Sequence, residues 1–130
     1  MSFQPEIYPS IGDITKIGVP KSRSNLTIAE EVFASIPIGI DDVKSIYVKV
    51  VMASETSSAF AQFEMTSIFK KYGPTPPIMK YQIDTVTNRD NPNNKFYFQI
   101  NGDNIEIICG SGLNEVTHWS GLVAVIGIKG

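Results

Sequence analysis

The sequence predicts an all-β domain: an antiparallel β-sandwich or jelly roll of about seven or eight strands, led by an extended N-terminal arm. Apolar residues recur at every second position from Asn25 onward, the spacing at which a strand sends successive side chains to opposite faces. Clusters of Gly, Pro, Asn and Asp break that alternation at short intervals, where tight turns need them. The chain has 130 residues, 42% hydrophobic and 18% charged, which suits one globular core. A single cysteine, Cys109, excludes an intrachain disulfide framework.

Residues 1–24 hold Pro5, Pro9, Gly12, Gly18 and Pro20, which prevent a long helix. Interspersed Phe3, Ile7, Tyr8, Ile11, Ile14 and Ile17 argue against a solvated tail. This segment is expected to be an arm packed on its own domain or on a neighbouring subunit, with those six residues as its assembly contacts. Residues 25–130 are expected to form the β-sandwich or jelly-roll knob. Asn25 to Ile36 aligns Leu26, Ile28, Val32 and Ile36 as a strand, although Ile28, Val32 and Ile36 also fit a helical stripe. Ser45 to Ala53 places Ile46, Val48, Val50 and Met52 on one face. Ala59 to Lys71 does the same with Ala59, Ala61, Phe63, Met65 and Phe69, while its Ala, Glu, Met and Lys content would suit a helix; strand neighbours favour the strand.

Ile78 to Thr87 reads as a partly exposed strand with Met79, Tyr81 and Ile83 in phase. Lys95 to Asn101 and Asn104 to Cys109 alternate around Asn101-Gly102-Asp103, a hairpin signal. Val116 to Lys129 becomes apolar on both faces toward its end, as a central strand or an interface strand does.

The side chains that could carry chemistry do not assemble into a catalytic set. One His and one Cys nine residues apart cannot supply a zinc tetrahedron, so no metal is expected. Ser120 follows His118 by two residues and points the same way on a strand, with neither an orienting acid nor an oxyanion hole evident. Cys109 falls on an apolar strand face and reads as a buried, inert thiol. The adjacent carboxylates Glu30-Glu31 and Asp41-Asp42 suit solvated turns. Asp90-Asn91-Pro92-Asn93-Asn94 lacks the spaced carboxylates of a calcium loop, and Gly110-Ser111-Gly112 lacks the lysine of a phosphate loop. Lys70-Lys71 is too small a basic cluster for nucleic acid, and the net charge is -2. Asn25-Leu26-Thr27 is a formal sequon that matters only in a secreted chain. No stretch is long and apolar enough to predict membrane insertion.

The order of segments resembles a family of phage virion proteins found in tail fibres, tail spikes and capsid-attached fibres. The resemblance runs from about Ala29 to Ile128. It is carried by Ala34-Ser35-Ile36-Pro37, Ser45 to Val51, Ser58 to Met65 running into Ile68 to Gly73, Phe96 to Ile107, Gly110-Ser111-Gly112 and His118 to Val125. It implies a virion protein and a homotrimeric knob, and the lack of a catalytic constellation adds the expectation of a non-enzymatic protein with no cofactor. Taken as a complete product beginning at Met1, the chain lacks the coiled-coil, collagen-like or β-helical shaft of a fibre. A capsid decoration (cement) protein is therefore expected, attached through its arm to the major capsid protein. A tail-fibre or spike tip binding a host-surface glycan is the alternative, and a small carbohydrate-active enzyme on a sandwich scaffold the third reading. A glycan-binding tip would need exposed aromatics: Tyr72, Tyr97 and Trp119 are the candidates at an interface or facing a ligand, with Tyr81, while the phenylalanines are assigned to the core. Trp119 begins the most apolar strand, which favours core or interface.

Overall fold

The computed structural model describes residues 4–8, 23–24, 29–54, 57–92, 94–111 and 116–130. These contain nine strands and no helix: β1 (Gln4–Tyr8), β2 (Arg23–Ser24), β3 (Ala29–Pro37), β4 (Val43–Ser54), β5 (Phe60–Lys70), β6 (Ile78–Arg89), β7 (Lys95–Asn101), β8 (Asn104–Ser111) and β9 (Val116–Lys129). Every pairing is antiparallel. The larger sheet runs β1-β9-β4-β5-β6, with β2 also on β9, and the smaller runs β3-β8-β7. The expected all-β sandwich is the fold, and the helical alternatives for the third and fifth strands do not occur in the described residues.

Alternation builds the core. Ile46, Val48, Val50 and Met52 of β4, Ala61, Phe63, Met65 and Phe69 of β5, and Trp119, Val123 and Val125 of β9 all point to the smaller sheet. Phe33, Ala34 and Ile36 of β3, Phe98 of β7 and Ile105, Ile107 and Cys109 of β8 answer them. Aromatic rings fix how the sheets are superposed. Phe96 of β7 stacks on Phe63 (5.6 Å between centroids) and on Trp119 (6.0 Å), and Phe98 meets Phe69 edge-on at 5.3 Å. Each such pair adds ~0.5–1.5 kcal/mol beyond the area it buries. These contacts lay β7 over β5, which leaves β6 without a strand above it and explains why almost all of β6 is exposed.

Four sequence expectations need correction. Met79, Tyr81 and Ile83 are not in phase: register shifts along β6 set Met79 opposite Phe69, on the core side of β5, and Ile83 opposite Thr66, on its outer side. Val32 does not line up with Ile36: a bulge at Phe33 places two residues of β3 opposite one of β8, so Phe33 and Ala34 are both buried and Val32 is 45% exposed. Asp42 is not in a solvated turn but 2% exposed, and Lys44 and Lys71 are buried with it at one end of the sandwich. There Asp42 accepts from the backbone of Gly39 (2.8 Å) and Gly130 (2.9 Å), Lys44 donates to the Pro37 carbonyl (2.7 Å), and Lys71 bridges the Thr75 carbonyl and Asp103 (2.9 and 2.7 Å). Buried charge is tolerated because each head group is hydrogen-bonded. The Lys70-Lys71 pair is thus divided: Lys71 is internal, whereas Lys70 lies 4.6 Å from the Tyr72 ring centroid.

Within the arm, the backbone of β1 forms the margin of the larger sheet, Ile7 opposite Ile126 and Tyr8 opposite Val125. Phe3, Ile11, Ile14 and Ile17 lie outside the described residues, as do the sequon, Gly112 and Asn93.

Candidate binding groove on the larger sheet

Strand register decides what the outer face of the larger sheet presents. Side chains one position out of phase with the core form cross-strand rows on that face. One row is Ile128, Val43, Lys70 and Ile78; the next rows bring Ile126, Ser45, Ile68 and Lys80, then Ala124, Tyr47, Thr66 and Ile83. Ile78, Ile83, Ile126 and Ile128 are exposed there. A polar rung crosses the middle. Tyr47 donates to Glu64 (2.5 Å), and Thr85 donates to the other Glu64 oxygen (3.2 Å). The Tyr47 bond, outweighing desolvation and aided by Thr85 and Lys49, holds the Glu64 carboxyl below its ordinary pKa. The same bond, with burial and the Glu64 charge, raises that of the Tyr47 phenol.

Beyond this rung the face changes character. Ser120, Val51, Gln62 and Asn88 form one row and His118, Ala53, Phe60 and Asp90 the last. A groove of about 1100 Å³ is lined by them together with Thr87, Arg89 and Pro92, and by Met52, Ala61 and Trp119, whose side chains belong to the core. Phe60 is 66% exposed. Its backbone is clamped to the start of the following loop, where its N–H donates to the Asp90 carboxylate at 3.0 Å and its carbonyl accepts from the Asp90 N–H at 3.3 Å. Arg89 donates to the Asn94 carbonyl (2.7 Å).

His118 and Ser120 stand on the same outer face of β9, as their spacing requires. Asp90 is three strand spacings from His118, about 14 Å at ~4.8 Å per strand, too far to orient the imidazole. Among the described residues no group of three His, Cys, Asp or Glu side chains could hold a metal ion, and no helix is long and apolar enough to cross a membrane.

The aromatics singled out from sequence are not brought together. Trp119 is 2% exposed, its ring stacked in the core and its indole N–H donating to Thr117 (3.2 Å). Tyr97 is half-buried on the smaller sheet, Tyr72 lies exposed past β5 at the end opposite the groove, and Tyr81 is 78% exposed on β6 with φ 58°. Phe60 was missed because the phenylalanines were grouped as core. Its place out of phase with Ala61 and Phe63 was the available signal.

No family model matches the sequence, and no curated protein matches it. Among solved structures, the crystal structure of the Acinetobacter baumannii phage AM24 tailspike protein is similar over 98% of this chain, at 8% identity and a TM-score of 0.44. This chain spans 26% of the length of that one.

Proposed function

We propose that the chain is a non-enzymatic structural protein of a phage virion, a capsid decoration protein that adheres through the outer face of its larger sheet and the N-terminal segment bordering it. The observation that carries this reading is the exposed apolar surface made by Ile78, Ile83, Ile126 and Ile128 on a face that no other described element covers. These are two apolar margins, Ile126 and Ile128 on β9 and Ile78 and Ile83 on β6, either side of a mixed centre that includes Ser45, Thr66 and Lys70, and large apolar side chains left exposed in this way suit contact with another macromolecule. The order of sequence segments supplies the virion context. Many symmetric copies on a shell give avidity, so a modest contact per copy suffices.

The test is binding of purified protein to shells lacking it. Replacing Ile83 and Ile126 together by Lys is expected to keep the fold, because both side chains are solvent-facing, and to reduce shell occupancy at least roughly tenfold by placing two charges in an apolar contact. Full occupancy by the folded double variant would remove this function. Sedimentation of the unmodified protein separates the homotrimer from shell attachment: a persistent trimer on dilution supports it, and a monomer at high concentration excludes it.

A further inference from the structure

We propose that Asn101-Gly102, at the tip of the β7–β8 hairpin, is a site of self-modification: the Asn101 amide closes onto the Gly102 nitrogen, loses ammonia, and reopens as a mixture of aspartate and isoaspartate.

The chemistry needs only groups of the chain and water. Solvent base removes the Gly102 N–H proton, and that nitrogen attacks Asn101 Cγ. The N–Cγ bond forms, the Cγ–Nδ2 bond breaks, and the departing nitrogen takes a proton from water to leave as ammonia, giving a cyclic imide. Water then opens one of the two imide carbonyls. Opening at the side-chain carbonyl restores the main chain and yields aspartate. Opening at the main-chain carbonyl routes the backbone through Cβ and yields isoaspartate.

The hairpin exposes this pair. Asn101 and Gly102 are both exposed, and a Cβ placed on Gly102 would meet no atom within 4 Å, so the attacking nitrogen is uncrowded. Asn101 and Asn104 form the last rung of the ladder, which leaves the Gly102 N–H in the turn beyond it. Losing that proton therefore sacrifices no ladder bond. The backbone rotation that brings Cγ to the nitrogen disturbs the terminal rung alone, and terminal rungs open most readily. The amide is held loosely, Nδ2 donating to Glu106 at 3.4 Å.

Asn101 is the chain's only asparagine followed by glycine. Among the other described asparagines, Asn91 precedes Pro92, whose nitrogen carries no proton to lose. Asn94 is 0% exposed. Asn88 and Asn104 are exposed, but they precede Arg89 and the buried, branched Ile105, both paired within strands.

The products alter the hairpin's surface. Glu106 accepts from Gln99 (3.1 Å) as well as from Asn101. Either product replaces the second donor by a carboxylate, and like charges facing each other across a ladder are destabilising. The hairpin end so weakened is the one that Asp103 ties to Lys71 and to the Ile38 backbone.

The experiment is incubation of the full chain in mildly alkaline buffer, with circular dichroism confirming the fold throughout, followed by peptide mapping with electron-based fragmentation to separate aspartate from isoaspartate. Asn101 is expected to convert before every other asparagine, faster as the pH is raised, and to yield both products. Asn101→Gln, which keeps the amide but would have to close a larger ring, should hold its mass at that position. Asn101→Asp should melt below the parent in the same buffer. Earlier conversion of another asparagine, aspartate without isoaspartate, an equal mass gain in the Asn101→Gln chain, or reaction only after denaturant is added would overturn the site. Equal melting of Asn101→Asp and the parent would overturn its effect on the hairpin.

Discussion

At Gly121, on the inward face of β9, a methyl group would fall 2.4 Å from the Lys49 carbonyl oxygen and 2.4 Å from Val50 Cγ1. One obstacle is backbone and the other a buried branched side chain, so neither can yield without moving β4. Gly121→Ala is expected to cost about 3 kcal/mol, the upper range for overpacking a core, read as a lower urea midpoint at an unchanged slope. Asp42 sets a pH dependence. Burial alone would raise its pKa, but hydrogen bonds from the Gly130 and Gly39 backbone, with Lys129 and Lys44 nearby, hold it below the ordinary value. A carboxyl lowered on folding stabilises the protein above its unfolded value and ceases to do so as pH falls through the folded one. Asp42→Asn should therefore be about 2 kcal/mol less stable at pH 7, with the gap closing below about pH 4. A constant gap between pH 7 and pH 3 would contradict this. At this scale parity reads the faces of β4 and β9, whose shared ladder is unbroken, and fails at Val32 and along β6, where register shifts interrupt the alternation. Parity alone assigns Phe60 outward; grouping residues by chemical type obscured it. Asp42, Lys44 and Lys71 were unreadable for a different reason: charge implies exposure unless the partners are known, and theirs are backbone groups and residues distant in sequence, such as Gly130 and Asp103.

Among the elements, the β7–β8 hairpin was the plainest in the sequence, because Asn101 faces Asn104 across two loop residues and Gly102 alone of those two takes positive φ, 59°. The bulge in β3 left no comparable mark, since Val32, Phe33 and Ala34 are all acceptable inside. The position of β1 was equally hidden, because pairing with β9 joins segments more than a hundred residues apart. That pairing makes β1 a marginal strand of five residues, while β9 retains twelve rungs with β4 and, among the residues whose burial is described, the apolar cluster begins at Phe33. Removing residues 1–8 is expected to lower the melting temperature by several degrees and leave a cooperative β-rich fold, checked by circular dichroism. Loss of the cooperative transition would make β1 indispensable rather than peripheral.

For the molecule as a whole, two sheets of unequal breadth explain the division of labour. The narrower one closes the core over β9, β4 and β5, and the broader one turns its far side outward, apolar along one part and amide-lined at the end. Fold class was legible because period two and turn chemistry are local. The groove was not, because it exists only once β4, β5, β6 and β9 are aligned by register, and no short-range pattern encodes that alignment. The same closure sequesters the chain's single sulfhydryl: Cys109 has no accessible surface between the sheets. Copies crowded side by side in an oxidising medium consequently cannot crosslink through sulfur while they remain native, and any covalently linked pair recovered after ageing is a record of molecules that had opened.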